Sequence, residues 1–426
     1  MTIEELYHIY RQYPSVQTDT RKLKAGDIFF ALKGDNFNGN AFAKQAIDNG
    51  AAFAIVDESQ YEIPGKTILV ENVLTTLQQL AKYHRQQFSI PVLAITGSNG
   101  KTTTKELIHA VLSSSFKTYT TEGNLNNHIG VPLTILKTRP DAELAVIEMG
   151  ANHIGEIASY CTYALPTHGL ITNCGKAHLE GFGSEEGVRR GKGELFDHLL
   201  SHHGTAFVMW DYDYLRRMSK GIPVVIKYGS AIADVEGLAI KNEPFLEVAV
   251  SKGPNITSIK TQLVGEYNLP NVLAAVAIGN YFKVPADKIK QAIENYIPSN
   301  SRSQLLKKGT NTIIMDAYNA NPSSMKLAIE NFAKLHPENK VLMLGAMAEL
   351  GNESLAEHKA IIELIRQYTW GKVILVGGDF LKIEHPFISF SNAAEARTWL
   401  QQQYFENTYL LIKGSRSSKM ELVLED

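Results

Sequence analysis

The segment VLAITGSNGKTT, residues 92–103, constrains the fold of this chain more than any other stretch. It begins with an apolar run of strand length, passes through a turn that contains two glycines, and continues into a helical pattern. A buried strand that leads directly into a helix is typical of a mostly parallel sheet covered by helices on both faces. The segment therefore predicts an α/β protein whose central sheet is organised around residues 92–96.

The glycine turn also has the features of a phosphate-binding loop. Gly97 and Gly100 let several backbone N–H groups point at one anion, and the helix that follows favours negative charge at its N-terminus. Lys101 can then reach the β and γ phosphates, while the Thr102 hydroxyl can ligate the Mg²⁺ that bridges them. Ile95 stands where the usual motif has a further glycine, so the loop is a variant, and it does not by itself distinguish a kinase, a motor or a ligase. We predict that ATP is bound by Gly97, Ser98, Asn99, Gly100, Lys101, Thr102 and Thr103.

Three sets of alternating strands and helices follow one another along the 426 residues, more than the roughly 250 at which a single core stops growing. The first set contains IFFAL, AAFAIV and TILV, and the third begins after IPSNSR with TIIMDAY and ends with YLLIKG. We predict a small N-terminal α/β domain at residues 1–88, a central phosphate-loop ATPase domain at 89–298, and a C-terminal α/β domain at 299–426. The last boundary is placed near Asn300, and the strand-rich stretch at about 206–263 is expected to form a side sheet.

Composition narrows the function classes. Hydrophobic residues at 44% and charged residues at 20% are typical of a soluble globular protein, and a net charge of -2 gives no basic field for nucleic acid. The N-terminus lacks a basic and apolar leader, and no run of roughly 18 uncharged apolar residues occurs, so no membrane partner is expected. Cys161 and Cys174 are expected to be buried thiols. We expect a cytoplasmic monomer that acts on small molecules.

Two polar residues follow strands that should end beside the phosphate loop. Glu148 closes the apolar run LAVIE, and His178 follows the run HGLITN. Open α/β sheets bind ligands at this edge, where a carboxylate can hold Mg²⁺. Taken singly, a strand-end glutamate is as often solvated, and a lone histidine is more often structural. Lys192, in GVRRGKGELF, would by itself be an ordinary surface lysine.

Seven motifs in order resemble the landmarks of the Mur ligase family. They are TGSNGKTT, MGANHIGEI preceded by Glu148, AHLEGFGS, KGELF, DAYNANPSSM, GAMAELG and KGSRS, and they cover nearly the whole chain. The resemblance implies an N-terminal domain for a UDP-sugar, a central ATPase domain, and a C-terminal Rossmann-like domain that closes over the site. It also implies an ATP-dependent ligase that activates a carboxylate as an acyl phosphate and joins it to an amine.

The segment EGNLNNHIGVPLT, residues 122–134, resembles the signature of those family members that add D-alanyl-D-alanine to a UDP-N-acetylmuramoyl tripeptide during peptidoglycan synthesis. The third residue of the tripeptide, a diamino acid with an extra carboxylate or lysine, stays open. Ligases that add one amino acid, and folylpolyglutamate synthetases, share the loop and the metal residues but not this segment. A nucleotide-switched binding protein and a catalytically idle scaffold are the alternatives from other classes.

The resemblance carries roles over to individual residues. Lys101, His178 and Lys192 would be catalytic, with Lys192 carbamylated. Thr102 and Glu148 would hold one Mg²⁺ near the phosphates, and His178 and Lys192 a second near the acyl group. ATP would also contact Asn268, Asn271, Arg302 and Asp316. The substrates would contact Asp19, Thr20, Arg21, Lys33, Gly34, Asn124, Asn126, Asn127, Asn319, Asn321 and Lys413.

Several positions depart from the family pattern. Thr20 stands where serine is common, Asn38-Gly39-Asn40 where Asp-Gly-His is common, Tyr267 where histidine is common, and Ser301 where glycine is common. These changes affect the expected uridine and adenine pockets. None of them touches the residues expected to carry the chemistry.

Overall fold

The computed structural model describes residues 1–299, 301–336 and 338–425. The α/β architecture expected from the sequence is confirmed, with three main sheets that follow one another along the chain. The expected boundary near Asn300 falls on a residue outside the described ones. No helix within the described ranges is long and apolar enough to cross a membrane.

The N-terminal part is built on a parallel four-stranded sheet. Its strands are short and apolar, as in IFF and FAIV, and the sheet order is β1-β2-β5-β6. The elements are α1 Ile3–Gln12, β1 Val16–Gln17, β2 Ile28–Phe30, β3 Lys33–Gly34, β4 Phe37–Asn38, α2 Ala43–Asp48, β5 Phe53–Val56, β6 Thr67–Leu69 and α3 Val73–Arg85.

The central part contains a nine-stranded sheet in the order β15-β14-β13-β12-β11-β10-β7-β9-β8. The strand of the phosphate loop, β7, lies between two parallel neighbours, β9 and β10, and all five of its residues are buried. Its elements are β7 Val92–Thr96, α4 Lys101–Ser113, β8 Thr118–Thr120, α5 Gly130–Leu136, β9 Leu144–Glu148, α6 Glu156–Ala164, β10 His168–Ile171, α7 Leu179–Phe182, α8 Glu185–Ser201, β11 Thr205–Met209, α9 Asp213–Met218, β12 Val224–Gly229, β13 Val235–Lys241, β14 Glu247–Lys252, β15 Ser258–Lys260, α10 Leu269–Tyr281 and α11 Ala286–Glu294.

The side sheet expected at about 206–263 was wrong. Strands β11 to β15 instead extend the central sheet, because β11 pairs with β10 in parallel and each later strand pairs with the one before it. Only the last two pairings are antiparallel, so the expectation of a mostly parallel sheet is confirmed.

The C-terminal part has a six-stranded sheet in the order β16-β17-β21-β18-β19-β20, parallel except for the hairpin of β16 and β17. Its elements are β16 Gln304–Lys308, β17 Asn311–Asp316, α12 Pro322–Lys334, β18 Lys340–Gly345, α13 Ser354–Ile365, β19 Lys372–Val376, β20 Ile388–Phe390, α14 Ala393–Gln401 and β21 Tyr409–Lys413. The predicted buried thiols, Cys161 and Cys174, are both buried.

Candidate active site

A cavity of about 830 Å³ lies where the carboxyl ends of β7 and β9 meet the C-terminal part. Polar residues from three regions line this cavity: the central part, the start of α10 and the C-terminal part. Most of the residues expected from the sequence line it: Ser98, Asn99, Gly100, Lys101, Thr102, Thr103, Asn124, Asn126, Asn127, Glu148, His178, Asn268, Asn271, Arg302, Asp316, Asn319, Asn321 and Lys413. The structure therefore brings together residues that are up to 315 positions apart in the sequence (413 − 98).

The phosphate loop has the backbone that its glycines predicted. Gly97 and Gly100 have positive φ angles of 142° and 78°, and a Cβ at Gly97 would lie 2.0 Å from Oγ1 of Thr172. The Lys101 ammonium folds over the loop and donates to the carbonyl oxygens of Gly97 at 2.6 Å and Ser98 at 3.2 Å. Burial lowers the pKa of Lys101. The loop thus holds the Lys101 ammonium at the cavity, where it can pair with an anion.

Glu148 sits at the end of β9 with 1% of its surface exposed. Its Oε1 accepts hydrogen bonds from Oγ1 of Thr102 at 3.2 Å and from Nδ2 of Asn126 at 2.7 Å. Its Oε2 is buried and has no hydrogen-bond partner among the described residues. A buried carboxylate oxygen without a partner is costly unless a cation or a donor reaches it. This orphaned oxygen beside the Thr102 hydroxyl fits a Mg²⁺ ligand pair.

The asparagine-rich segment is fixed against the same strand end. The backbone oxygen of Asn126 accepts from the N–H of Gly150 at 2.7 Å, and a Cβ at Gly150 would lie 3.0 Å from the Asn126 side chain. Asn127 accepts from the N–H of Gly130 at 2.9 Å at the start of α5. The loop is therefore built into the carboxylate site, and its other asparagine, Asn124, also lines the cavity.

His178 lies at the start of α7, and Lys192 lies on α8. Nδ1 of His178 is 2.6 Å from Oε2 of Glu349, which reaches across from the C-terminal part, and this contact lowers the pKa of Glu349. Lys192 is 1% exposed, and its Nζ donates to the carbonyl oxygen of Ala151 at 2.8 Å. Burial, followed by the charge of Lys101, lowers the pKa of Lys192 to about 7. The plain surface-lysine interpretation is therefore wrong, because the side chain is enclosed beside the cavity wall.

Within the described ranges, no three His, Cys, Asp or Glu side chains form a metal-binding group. Magnesium at this site would accordingly depend on the hydroxyl of Thr102 and on the Glu148 carboxylate. A second ion near His178 would need an oxygen ligand that an unmodified Lys192 does not offer.

Asn268 and Asn271, the two asparagines expected to contact ATP, make hydrogen bonds within the protein. Nδ2 of Asn271 donates to Oδ1 of Asn268 at 2.9 Å, and Nδ2 of Asn268 donates to the Val264 carbonyl oxygen at 2.9 Å. Oδ1 of Asn271 accepts from the Thr104 hydroxyl at 3.0 Å and would lie 2.8 Å from a Cβ at Gly100. Their side chains thus join α10 to the phosphate loop.

The C-terminal part contributes cations and a buried ion pair. The guanidinium of Arg302 stacks on the Tyr318 ring at 3.5 Å from its centroid. Nζ of Lys413 donates to Oδ2 of Asp316 at 2.5 Å, and Oδ1 of Asp316 accepts from the Ser303 N–H at 3.1 Å. Asp316 therefore links Lys413 to the segment that enters the C-terminal part.

Direct contacts also cross between the central and C-terminal parts. Nδ2 of Asn321 donates to Oδ1 of Asn99 at 2.7 Å, while Oδ1 of Asn321 caps α12 by accepting from the Ser324 N–H. Asn319, two residues earlier, accepts from the Ala320 N–H through its own Oδ1 at 2.9 Å. One residue thus caps a helix of the C-terminal part and touches the phosphate loop.

Seven predicted residues do not line the cavity: Asp19, Thr20, Arg21, Lys33, Gly34, Gly97 and Lys192. In the N-terminal part Arg21 pairs with Asp19 at 2.8 Å, which lowers the pKa of Asp19 to about 2. Lys33 lies 2.9 Å from both Asp57 and Glu58. The role of these N-terminal residues in uridine binding stays a prediction.

Sequence reasoning missed Glu349, Tyr267 and Asn331. Glu349 lay inside the quoted motif GAMAELG, where an acidic residue after a strand end was an available signal. Tyr267 was noted only as a departure, yet its hydroxyl lies 2.9 Å from the Ser303 hydroxyl across the two parts of the chain. Asn331 lines the cavity from α12 and has no local sequence signal.

The sheet order, the loop and the buried carboxylate together define a three-part phosphate-loop α/β protein. Family models match it throughout: the catalytic domain of the Mur ligase family at residues 12–85, the Mur ligase middle domain at 95–279, and the Mur ligase glutamate ligase domain at 301–416. The chain belongs to the Mur ligase family.

Individual members of the family resemble this chain over nearly its whole length. The UDP-N-acetylmuramoyl-tripeptide--D-alanyl-D-alanine ligases of Bacillus subtilis and Escherichia coli are 34% and 36% identical, and each alignment covers 96% of this chain and 92% of the relative. A crystal structure of MurF from Acinetobacter baumannii has a TM-score of 0.87 at 31% identity, covering 96% of this chain and 92% of that one. MurF of Thermotoga maritima in complex with ADP has a TM-score of 0.86 at 27% identity, covering 96% of both chains.

Proposed function

We propose that the protein is an ATP-dependent ligase that adds D-alanyl-D-alanine to a UDP-N-acetylmuramoyl tripeptide through an acyl phosphate, in peptidoglycan precursor synthesis. The observation that carries the proposal is the asparagine-rich segment 122–134, which is hydrogen-bonded through Asn126 to the buried Glu148 beside the phosphate loop. Relatives whose names state this activity align with the chain over 92% of their own length. This segment and the phosphate loop therefore line one cavity.

The reaction requires two anions to approach each other. A carboxylate oxygen of the tripeptide attacks the γ phosphorus, ADP leaves, and the amine of D-alanyl-D-alanine then attacks the acyl carbon and expels phosphate. Lys101, held over the phosphate loop by two carbonyl oxygens, is placed to neutralise charge that develops during transfer. Arg302 and Lys413 add positive charge from the C-terminal part.

Mg²⁺ would be held by Thr102 and Glu148, whose buried Oε2 has no protein partner. When bound it supplies charge neutralisation between the phosphates and the carboxylate. Asn126 donates to the other carboxylate oxygen at 2.7 Å and so holds the carboxylate in one orientation. Oε2 is buried and therefore shielded from water.

Lys192 is proposed to act as a carbamate beside His178. Lysine reacts with carbon dioxide only as the neutral amine, and burial lowers the pKa of Lys192 to about 7, so a substantial neutral fraction exists near neutral pH. The carbamate would supply the anionic oxygen that this enclosed position otherwise lacks.

The three parts of the chain are proposed to divide the work. Residues 1–88 bind the UDP-sugar through Asp19, Thr20, Arg21, Lys33 and Gly34, residues 89–298 bind ATP, and residues 299–426 complete the site from the other side. The protein is proposed to act in the cytoplasm as a monomer, on small molecules rather than on nucleic acid or membrane.

Phosphate release tests the proposal directly. Purified protein is assayed with ATP, Mg²⁺ and a UDP-N-acetylmuramoyl tripeptide, and the amine is varied among D-alanyl-D-alanine, D-alanine, a diamino acid, glutamate and none. Release should require the tripeptide and should be far faster with D-alanyl-D-alanine. Equal turnover with D-alanine or a diamino acid would refute the amine assignment. Phosphate release in the absence of the tripeptide would favour a nucleotide switch.

A further inference from the structure

One end of the cavity is built differently from the phosphate end. On α12, Glu330, Asn331 and Lys334 line it, and Glu266 and Tyr267 line it next to Asn331. Asn321, at the start of α12, touches the phosphate loop at Asn99. Asn331 lies ten residues farther along the same helix, or about 15 Å at the usual rise of 1.5 Å per residue. That separation is comparable with the distance between the terminal phosphates and the base of an extended nucleotide.

Asn331 offers one free donor at this end. The residue is 8% exposed, and its Oδ1 accepts from the backbone N–H of Glu266 at 3.3 Å and from Nδ2 of Asn242 at 2.7 Å. A backbone N–H can only donate, so the atom it meets must be the amide oxygen. The orientation of the Asn331 amide is thereby fixed. Its Nδ2 makes no hydrogen bond to any residue within the described ranges.

Asn242 reinforces that orientation at a cost. It comes from the turn between β13 and β14, and while its Nδ2 is used on Asn331, its Oδ1 is buried without a partner among the described residues. Leaving a buried acceptor unpaired destabilises the folded state. A turn that tolerates this cost to fix a neighbouring amide suggests that the direction of the Asn331 donor matters.

We propose that Asn331 selects adenine by donating from Nδ2 to ring nitrogen N1 of the base, with Asn242 as its positioning residue; this deepens the proposed use of ATP. N1 lies on the edge of the base that is farthest from the ribose, which suits a residue at the far end of the cavity. In adenine N1 is an acceptor, whereas in guanine and hypoxanthine N1 carries a hydrogen. The Asn331 donor would meet a second donor in those bases. A site built to hydrogen-bond one partner rejects the mismatched analogue strongly.

Equilibrium binding separates this inference from the ligase activity. Calorimetry on the full chain with Mg²⁺ would compare ADP, 1-deaza-ADP, 7-deaza-ADP and IDP, so no turnover is needed. Wild type should bind 1-deaza-ADP and IDP at least about tenfold more weakly than ADP, and 7-deaza-ADP about as well as ADP. Equal binding of ADP and 1-deaza-ADP would overturn the proposal even if the protein proves to be the expected ligase.

Variants test the residue itself. N331D keeps the oxygen that Glu266 and Asn242 need and replaces the donor with an acceptor, so the ratio of IDP to ADP affinity should rise about tenfold or more. N331L should remove discrimination between ADP and 1-deaza-ADP. N255D makes the same chemical change in an exposed turn between β14 and β15 and should leave every ratio unchanged. If N331D and N331L weaken all nucleotides by one common factor, Asn331 is only a strut between the two parts of the chain.

Discussion

The buried pair of Lys413 and Asp316 makes the sharpest prediction about stability. Lys413 is 2% exposed, and its Nζ lies 2.5 Å from Oδ2 of Asp316, whose other oxygen accepts from the Ser303 N–H. Lys413→Met removes the cation but leaves a carboxylate that is only 17% exposed. Removing one member of a buried pair typically costs about 3–5 kcal/mol because the other charge stays buried. Since Asp316 keeps its bond from Ser303, we expect the lower end, about 3 kcal/mol.

Urea denaturation would measure the free energy of unfolding, and a thermal scan the melting temperature. Two of the three tryptophans, Trp370 and Trp399, lie in the C-terminal part, so their fluorescence reports its unfolding. At roughly 4 °C per kcal/mol for a unit of this size, the melting temperature of that transition should fall by about 12 °C. Lys359→Met, on the exposed face of α13, should change the free energy of unfolding by less than about 0.5 kcal/mol.

A double-mutant cycle separates the pair from the two single effects. Asp316→Asn in the Lys413→Met background removes the stranded charge and should recover at least about 1 kcal/mol. A Lys413→Met variant as stable as wild type, or a double variant less stable than either single variant, would refute the reasoning. Either result would mean that water already reaches Asp316 freely.

Three further predictions concern the chemistry. Lys101→Ala should lower kcat by far more than tenfold, a transition-state loss above roughly 1.4 kcal/mol, while the melting temperature barely moves; a tenth of wild-type kcat would contradict the role. Lys192→Arg should be nearly inactive, and acetate should restore part of the activity of Lys192→Ala but none to Lys101→Ala; wild-type turnover by Lys192→Arg would end the carbamate proposal. Small-angle scattering should report compaction when all substrates bind, since Arg302 and Lys413 line the cavity from the C-terminal part and are proposed to contact the bound substrates, and an unchanged radius of gyration would count against closure.

Lys192 also predicts a pH dependence of stability without carbon dioxide and Mg²⁺. Burial holds the pKa of the native amine at about 7, below that of an unfolded lysine, so the unfolded state binds the extra proton between about pH 7 and 10. Stability should therefore rise with pH across that window, and Lys192→Met should abolish the rise. The same slope in wild type and Lys192→Met would show that Lys192 is already solvated or modified.

Local features were predictable from the sequence, because short-range spacing determines them. The strand, glycines and helix of the phosphate loop lie within residues 92–113, and the structure has them as expected. Glu148 was placed correctly at a strand end, because the carboxyl ends of parallel strands share one edge of a sheet. Its unpaired oxygen could not be foreseen, since that depends on every neighbour around it.

Long-range contacts were not predictable. The strands at 206–263 were correctly expected, but their pairing onto β10 depends on which edge of the central sheet is free. Asn268 and Asn271 were expected to face the ligand, yet their side chains are tied to Val264, to Thr104 and to each other. An amide has four hydrogen-bonding positions, and only the folded arrangement decides which of them are left for a ligand.

An isotope experiment tests the central claim most directly. The UDP-N-acetylmuramoyl tripeptide is labelled with ¹⁸O in its terminal carboxylate and incubated with ATP, Mg²⁺ and D-alanyl-D-alanine, and both products are analysed by mass spectrometry. The account predicts a product heavier by one intact dipeptide less water, with one ¹⁸O transferred to inorganic phosphate. Unlabelled phosphate would contradict the acyl phosphate intermediate. A product extended by a single residue would contradict D-alanyl-D-alanine as the amine substrate.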